Sequence, residues 1–320
     1  MPTTYLEAIR EGLWEEMERD ANVFLLGEDI GVYGGAFKVT AGFFEHFGEK
    51  RVVDTPISEA AIAGAAIGAG LMGLRPVAEM QFADFITCGF DQLVNFAAKC
   101  RYRWNAPVPM VVRAPSGGGI HGGPFHSQNP EMWFVRTPGL KVVCPATAYD
   151  AKGLIKAAIR DNDPVIFFEH KGLYRKIKEE LPKEDYTVPI GKARIAREGK
   201  DLTIVTYGAM LWTALEAADK LDASVEVIDL RTLAPLDRET VTESVKKTSR
   251  VLLLHEDTQT GGLAGELAAT ITETVFDYLD APVLRVTAPD TPVPYSPPLE
   301  EAFLPNVDKV LEKARYLLAW

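Results

Sequence analysis

Apolar and polar positions alternate along this chain in two successive runs of the same kind. In the first run, short apolar stretches at Val23–Leu26, Arg51–Val53, Pro76–Met80, Pro109–Arg113, Lys141–Cys144 and Pro164–Phe168 read as strands. Between them, Tyr5–Asp20, Glu59–Leu74, Gly89–Tyr102 and Tyr149–Arg160 carry the 3.6-residue period of helices. Strands of this kind alternating with helices predict a parallel sheet covered by helices. The pattern lapses between Lys171 and Asp201, where charged residues and prolines show no sustained period and predict an interdomain connection. A second alternation follows, with strands at Leu202–Tyr207, Val225–Asp229, Val251–Leu254 and Val283–Thr287. Its helices fall at Met210–Leu221, Arg238–Lys247, Leu263–Leu279 and Val307–Leu318. Pro289, Pro292, Pro294, Pro297 and Pro298 predict an extended crossing before the last helix. The expected division is an α/β domain over 1–185, a connection over 186–200 and a smaller α/β domain over 201–320.

Length and charge narrow this picture. The 320 residues suit about two domains of roughly 150 residues each. The 34 Lys and Arg against 45 Asp and Glu leave a net charge of −11, which argues against a broad surface for nucleic acid or anionic lipid. The uncharged, apolar stretch Ala60–Leu74 is too short to cross a bilayer, which takes about 20 residues. Met1–Ile30 carries acids from the start and resembles neither a secretory signal nor a transit segment, so a cytoplasmic location is expected, a matured organellar matrix protein having the same appearance. Cys88, Cys100 and Cys144 are too scattered for a disulfide framework or a metal knuckle.

Several patterns carry the outline of chemistry. Gly68, Gly70 and Gly73 match GxGxxG, but they end a helical stretch where a dinucleotide fingerprint must open one. Gly64 and Gly68, flanked by Ala61, Ala65 and Ala69, instead give one helix face of nearly bare backbone, suited to close approach by another helix. Ser116–Gly119 with Gly122 and Gly123 forms a Gly-rich loop without the GK[ST] of a P-loop. His121, His126 and Glu131 are spaced by five, not the three or four of helical zinc ligands, yet such a loop can carry a His over a pocket. Glu59 has two readings: a helix-start acid favoured by the dipole with Ser58 as N-cap, or a carboxyl buried at the carboxyl end of a parallel strand, where open sheets bind ligands. Of Phe82, Phe85 and Phe90, most are expected in the core, while one ring facing a cleft could stack on a heteroaromatic ligand.

Longer runs carry a resemblance. Gly27-Glu28-Asp29, DTPISE (Asp54–Glu59), GLRPVAEMQFADF (Gly73–Phe85), FHSQNPE (Phe125–Glu131), PGLKVV (Pro138–Val143) and AIRDNDPVIFFEHKGLY (Ala158–Tyr174) occur in order. VIDLRTLAPLD (Val227–Asp237) and TPVPY (Thr291–Tyr295) extend the series into the second half. Together they resemble the β subunit of thiamine-diphosphate-dependent 2-oxo acid dehydrogenases.

The resemblance implies a transketolase-like pyrimidine-binding domain followed by a transketolase-like C-terminal domain, with the cofactor lying between two different chains. The α chain of that family supplies the diphosphate and Mg²⁺ site through a GDG motif, which this sequence lacks, so no Mg²⁺ ligand is expected here. Glu59 falls at the acid that contacts the pyrimidine N1′ atom, Phe85 at the aromatic that stacks on the pyrimidine, and His126 at the His implicated in reductive acylation of lipoamide. The resemblance implies a K⁺ site of main-chain carbonyls together with an acid in the segment Ala158–Asp163, with Asp161 and Asp163 as the candidate side chains, although RDND also reads as a helix–strand turn. The implied reaction is oxidative decarboxylation of a 2-oxo acid with acyl transfer to the lipoyl group of a dihydrolipoyl acyltransferase core, by an α₂β₂ heterotetramer. QFADF, HSQNPE and Leu173–Arg175 favour a branched-chain substrate, whereas Val143–Leu154 and Thr287–Ser296 look as much like pyruvate- or acetoin-using relatives. Two other classes stand beside this one: a nicotinamide oxidoreductase built on Gly68–Gly73, and a non-catalytic scaffold subunit.

Overall fold

The computed structural model describes residues 2–320. In chain order the first half runs β1 (Thr3–Thr4), α1 (Tyr5–Arg19), β2 (Val23–Gly27), α2 (Phe43–Phe47), β3 (Val52–Asp54), α3 (Glu59–Leu71) and β4 (Arg75–Glu79). It continues with α4 (Ala98–Trp104), β5 (Val111–Ser116), α5 (Glu131–Val135), β6 (Lys141–Val143), α6 (Ala148–Arg160), β7 (Val165–His170) and β8 (Lys178–Glu179). The second half has β9 (Arg194–Arg197), β10 (Leu202–Thr206), α7 (Met210–Asp219), β11 (Val225–Asp229), β12 (Thr232–Ala234) and α8 (Arg238–Thr248). It ends with β13 (Val251–Thr258), α9 (Leu263–Val275), β14 (Leu284–Ala288), α10 (Pro297–Phe303) and α11 (Val307–Leu318).

Two sheets organise the molecule. Strand order is β12-β6-β7-β5-β4-β2-β3 in one and β14-β13-β10-β11-β9 in the other, and every pairing is parallel except those of β12 and β9 at the edges. Helices cover the sheets because each buries an apolar stripe. In α1, Tyr5, Leu6, Ile9, Leu13 and Met17 turn inward, and a capping box between Thr4 and Glu7 starts the helix. The two sheets share one core: Ile62, Ile86, Val112 and Phe134 of the first half belong to the same buried cluster as Val205, Leu253 and Leu267 of the second.

Four departures from the sequence pattern affect the site. The single helix expected over Gly89–Tyr102 is a 3₁₀ turn at Ala83–Gly89, a π-helical turn at Gln92–Ala97 and then α4. The turn is drawn tight because Gly89 packs its bare Cα against Ala63 and the main chain of Glu59. The segment 186–200 is more than a connection, since β9 closes the second sheet against β11. The short β12, which no periodicity marks, crosses back to cap the first sheet. Within the expected extended crossing, Pro297 and Pro298 open α10, where a missing N–H costs nothing.

Candidate functional site

The carboxyl ends of β2, β3, β4 and β5 place the candidate residues. Glu28 follows β2, and Glu59 opens α3 after β3 and Ser58. Ser58 occupies the N-cap position, but its side chain makes no capping bond. Glu59 is half-buried rather than buried. Glu28 is buried, and burial first, then the charges of Glu59 and Asp29, raise its pKa. Of the two, Glu59 stands at the start of a helix, where the dipole favours negative charge.

Phe85 and His126 come together. Their ring centroids lie 5.5 Å apart edge-on, and Phe82 sits against the same imidazole at 4.6 Å. The 3₁₀ turn bearing Phe85 is fastened to the loop bearing His126 by Asp84, whose Oδ1 accepts from the Gln128 main chain at 3.2 Å and side chain at 2.9 Å. Gly89 at the end of that turn lies against the main chain of Glu59, so all three predicted residues border one region.

The Gly-rich loop is threaded through a tight space. Gly117 has φ of +87°, and a Cβ there would stand 2.1 Å from His170 Nε2; at Gly123, with φ of +67°, it would stand 2.2 Å from the Tyr295 ring. These glycines permit close approach rather than phosphate binding. The zinc reading of this loop fails on geometry: His121 pairs with Glu300, His126 with aromatic rings, and Glu131 accepts from the Tyr207 hydroxyl at 2.6 Å. The dinucleotide reading fails likewise. Gly70 lies within α3, and Gly73, with φ of +92°, ends that helix in a Schellman turn, Leu74 N donating to Ala69 O. No strand feeds into those glycines.

Orphaned polar atoms test whether the region suits a polar heterocyclic cofactor. Glu28 Oε1, Thr55 Oγ1, Asp84 Oδ2 and Ser127 Oγ are buried with no hydrogen-bond partner among the described residues. Each belongs to a loop at the carboxyl edge of the first sheet, beside Glu59, Phe85 or His126. Gln92 Oε1, Arg194 Nε, Thr206 Oγ1 and both His255 ring nitrogens are also unpartnered among the described residues, the last four in the second half of the chain. Buried polar atoms are normally satisfied, so the four at this edge fit a ligand with donors and acceptors of its own.

The segment expected to hold a cation lies elsewhere. Ala158, Asp161 and Asp163 lie at the α6–β7 turn, on the amino edge of the sheet and away from this region. Lys141 Nζ bonds Asp161 Oδ2 at 2.6 Å, the Asp163 main chain donates to Asp161 Oδ1 at 2.9 Å, and Arg101 bonds Asp163 at 2.8 Å. Arg75 takes the Ile159 and Asp161 carbonyls at 2.8 Å each. The chain's own cations thus bond both carboxylates and two main-chain carbonyls of this segment.

Sequence reasoning missed Lys171. It is buried, bonds Pro115 O at 3.2 Å and lies 5.8 Å from the Phe82 ring. Burial pulls its pKa down to about 8, against the opposing charges of Asp84, Glu256 and Glu300. A lysine following the apolar run VIFFEH was the available signal. A cleft of about 720 Å³ also opens between the halves, lined by Gln128, Trp133, Asp257 and Val293 among others, but its lining takes in none of Glu59, Phe85 and His126.

Comparison with known proteins agrees with the fold. The transketolase pyrimidine-binding domain matches residues 2–176, and the transketolase C-terminal domain matches residues 191–310. The chain is 53% identical to the 2-oxoisovalerate dehydrogenase subunit beta of Bacillus subtilis, covering 98% of both chains. It is 47% identical to the pyruvate dehydrogenase E1 component subunit beta of the same organism, again over 98% of both. A mitochondrial 2-oxoisovalerate dehydrogenase subunit beta of Dictyostelium discoideum is 47% identical over 98% of this chain and 86% of its own. Among solved structures, a split-gene transketolase described as an inactive beta4 tetramer superposes with a TM-score of 0.81 at 25% identity, covering 100% of this chain and 99% of that one. The class is therefore the transketolase-like α/β fold with pyrimidine-binding and C-terminal domains. Within it, the chain belongs to the family of 2-oxo acid dehydrogenase β subunits.

Proposed function

We propose that this chain is the β subunit of a thiamine-diphosphate-dependent 2-oxo acid dehydrogenase, acting on a branched-chain 2-oxo acid of the 3-methyl-2-oxobutanoate type. The observation that carries the reading is the concentration of orphaned buried polar atoms around Glu59, Phe85 and His126. The bound cofactor supplies the electron sink that decarboxylation of a 2-oxo acid requires. The Glu59 carboxylate, favoured by the helix start on which it sits, would accept from the pyrimidine N1′ and so stabilise that nitrogen in its protonated form. Phe85 offers its ring face to the pyrimidine, and Phe82 limits how far the His126 imidazole can swing. His126 lines the approach of the lipoyl group and handles the proton of acyl transfer. An α subunit supplies the diphosphate and Mg²⁺ ligands, in an α₂β₂ assembly that serves a dihydrolipoyl acyltransferase core. The exposed apolar side chains Ile57, Leu71, Met72, Leu74, Phe90 and Phe96 support such docking. So does the face of α3 at Gly64 and Gly68, where an added Cβ would meet nothing within 4 Å. Pyruvate is the second reading, favoured by the 47% identity to a pyruvate dehydrogenase β subunit.

Glu59→Gln tests the central role. Reconstituted with its α partner, the variant is expected to assemble normally and lose decarboxylation by at least about 10²-fold. Near-wild-type turnover would overturn the assignment. Rates on 3-methyl-2-oxobutanoate, pyruvate and acetoin separate the substrate readings. Gly68→Leu is expected to leave the melting temperature of the isolated chain within about 1 °C, since nothing within the chain is crowded, while lowering the assembled mass seen by light scattering.

A further inference from the structure

The loop that carries His126 is held from beneath by groups of the second half. Gly118 N donates to Glu256 Oε1 at 2.6 Å, and Asn129 Nδ2 donates to the same oxygen at 3.0 Å. These two donors flank the loop, whose base is closed by Gly117 N donating to Gln128 O at 3.1 Å. The other Glu256 oxygen faces His170 Nε2 at 2.8 Å. Gly172 N–H donates to His170 Nδ1 at 3.2 Å, so the ring proton resides on Nε2 and is donated to Glu256. Glu300, buried on α10, takes Gly119 N at 2.9 Å through one oxygen, and His121 N at 3.1 Å and His121 Nδ1 at 2.6 Å through the other. From the first half, Asp84 grips Gln128. The single buried cation under the loop, Lys171, feels all three of these carboxylates.

Every acceptor in this set receives a loop N–H or a side chain beside the loop, and Glu256 and Glu300 belong to the second half of the chain. A loop of glycines has little conformational preference of its own, so its shape is set by what it is bonded to. We propose that Glu256 and Glu300 are positioning residues, a clamp by which the second half fixes the His126 loop for acyl transfer. The inference rests on the proposed role of His126, but the clamp itself is read from main-chain bonds and is testable without that role.

The test uses the complex assembled with its α partner. Hydrogen exchange at Gly118, Gly119 and His121 is measured in Glu256→Ala, Glu256→Gln, Glu300→Ala and the wild type, together with acyl transfer to a lipoyl-lysine peptide and the affinity for thiamine diphosphate. The alanine variants are expected to raise loop exchange by about tenfold or more and to lower acyl transfer by about 10- to 100-fold. Cofactor affinity should stay within about twofold, because Glu59 and Phe85 stand on other elements. Glu256→Gln keeps an oxygen for Gly118 and Asn129 while giving up the bond from His170 Nε2, and is expected to recover part of the rate lost in Glu256→Ala, which a purely structural loss would not allow. Glu300 lies on a short helix outside both sheets, so Glu300→Ala carries the test should Glu256→Ala fail to fold. Unchanged exchange and unchanged transfer in the folded alanine variants would overturn the proposal. Equal damage in Glu256→Gln and Glu256→Ala would also overturn it. If His126→Ala transfers acyl groups normally while Glu256→Ala still loosens the loop, the role of His126 falls and the clamp stands.

Discussion

Arg113 and Thr55 are both polar residues in the first half of the chain, and the structure treats them in opposite ways. Arg113, 1% exposed at the middle of the first sheet, is met on both sides. Its guanidinium forks onto Glu169 at 2.6 and 2.8 Å and reaches Glu79 with a third nitrogen, while Tyr174 donates to Glu169 at 2.7 Å. Thr55, just past β3, has a buried hydroxyl with no partner among the described residues, and so have atoms of Glu28, Asp84 and Ser127. One region is complete within the chain; the other leaves buried polar atoms unanswered. A satisfied buried network points to architecture, and a cluster of orphans at the carboxyl edge of a parallel sheet points to a ligand.

The largest effect should come from breaking the complete region. Arg113→Ala strands two buried carboxylates and is expected to cost about 3–5 kcal/mol of stability, read by urea denaturation of the purified chain. A loss under about 1 kcal/mol would mean the network is better hydrated than its burial indicates.

Glu131 gives an intermediate case, since its only answer is a neutral hydroxyl, that of Tyr207. Burial, with the Asp257 charge adding to it, raises its pKa well above the usual carboxylate range. A carboxyl with a raised folded-state pKa contributes stability that is complete below its unfolded value. That contribution is lost as pH rises toward the folded value. Glu131→Gln keeps an acceptor for Tyr207 and should flatten this decline. The variant should match the wild type at about pH 4.5 and exceed it by about 1–2 kcal/mol at about pH 8.5. Parallel melting curves at both ends of the range would show a Glu131 that does not titrate with folding.

The smallest effect on stability belongs to the incomplete region. Thr55→Val removes an unanswered hydroxyl and should leave stability unchanged, or raise it by up to about 1 kcal/mol, while weakening thiamine diphosphate binding to the assembled complex. Destabilisation with unaltered cofactor affinity would show that the hydroxyl is satisfied in solution and is no mark of a site.

Much of this was legible in the residues themselves. The two αβ alternations gave strands that differ from those observed by a residue or two at most ends, because apolar runs that are buried on both faces leave a plain trace. The resemblance carried by DTPISE, QFADF and FHSQNPE pointed to Glu59, Phe85 and His126, which the structure brings to the border of one region. What stayed hidden was decided by pairing at long range. β9 and β12 are short and take their strand character from β11 and β6, so no local period announces them. That Asp161 and Asp163 meet Lys141, Arg75 and Arg101, from three other elements, was likewise invisible in the run RDND.

The sequence by itself determined the fold class, the family and the types of side chain available for chemistry, because local periodicity and contiguous motifs survive in one dimension. Tertiary structure alone decided which polar groups are answered and which are left open. Burial and hydrogen-bond satisfaction depend on residues such as Gly118 and Glu256, or Asp84 and Gln128, that meet only when the chain has folded.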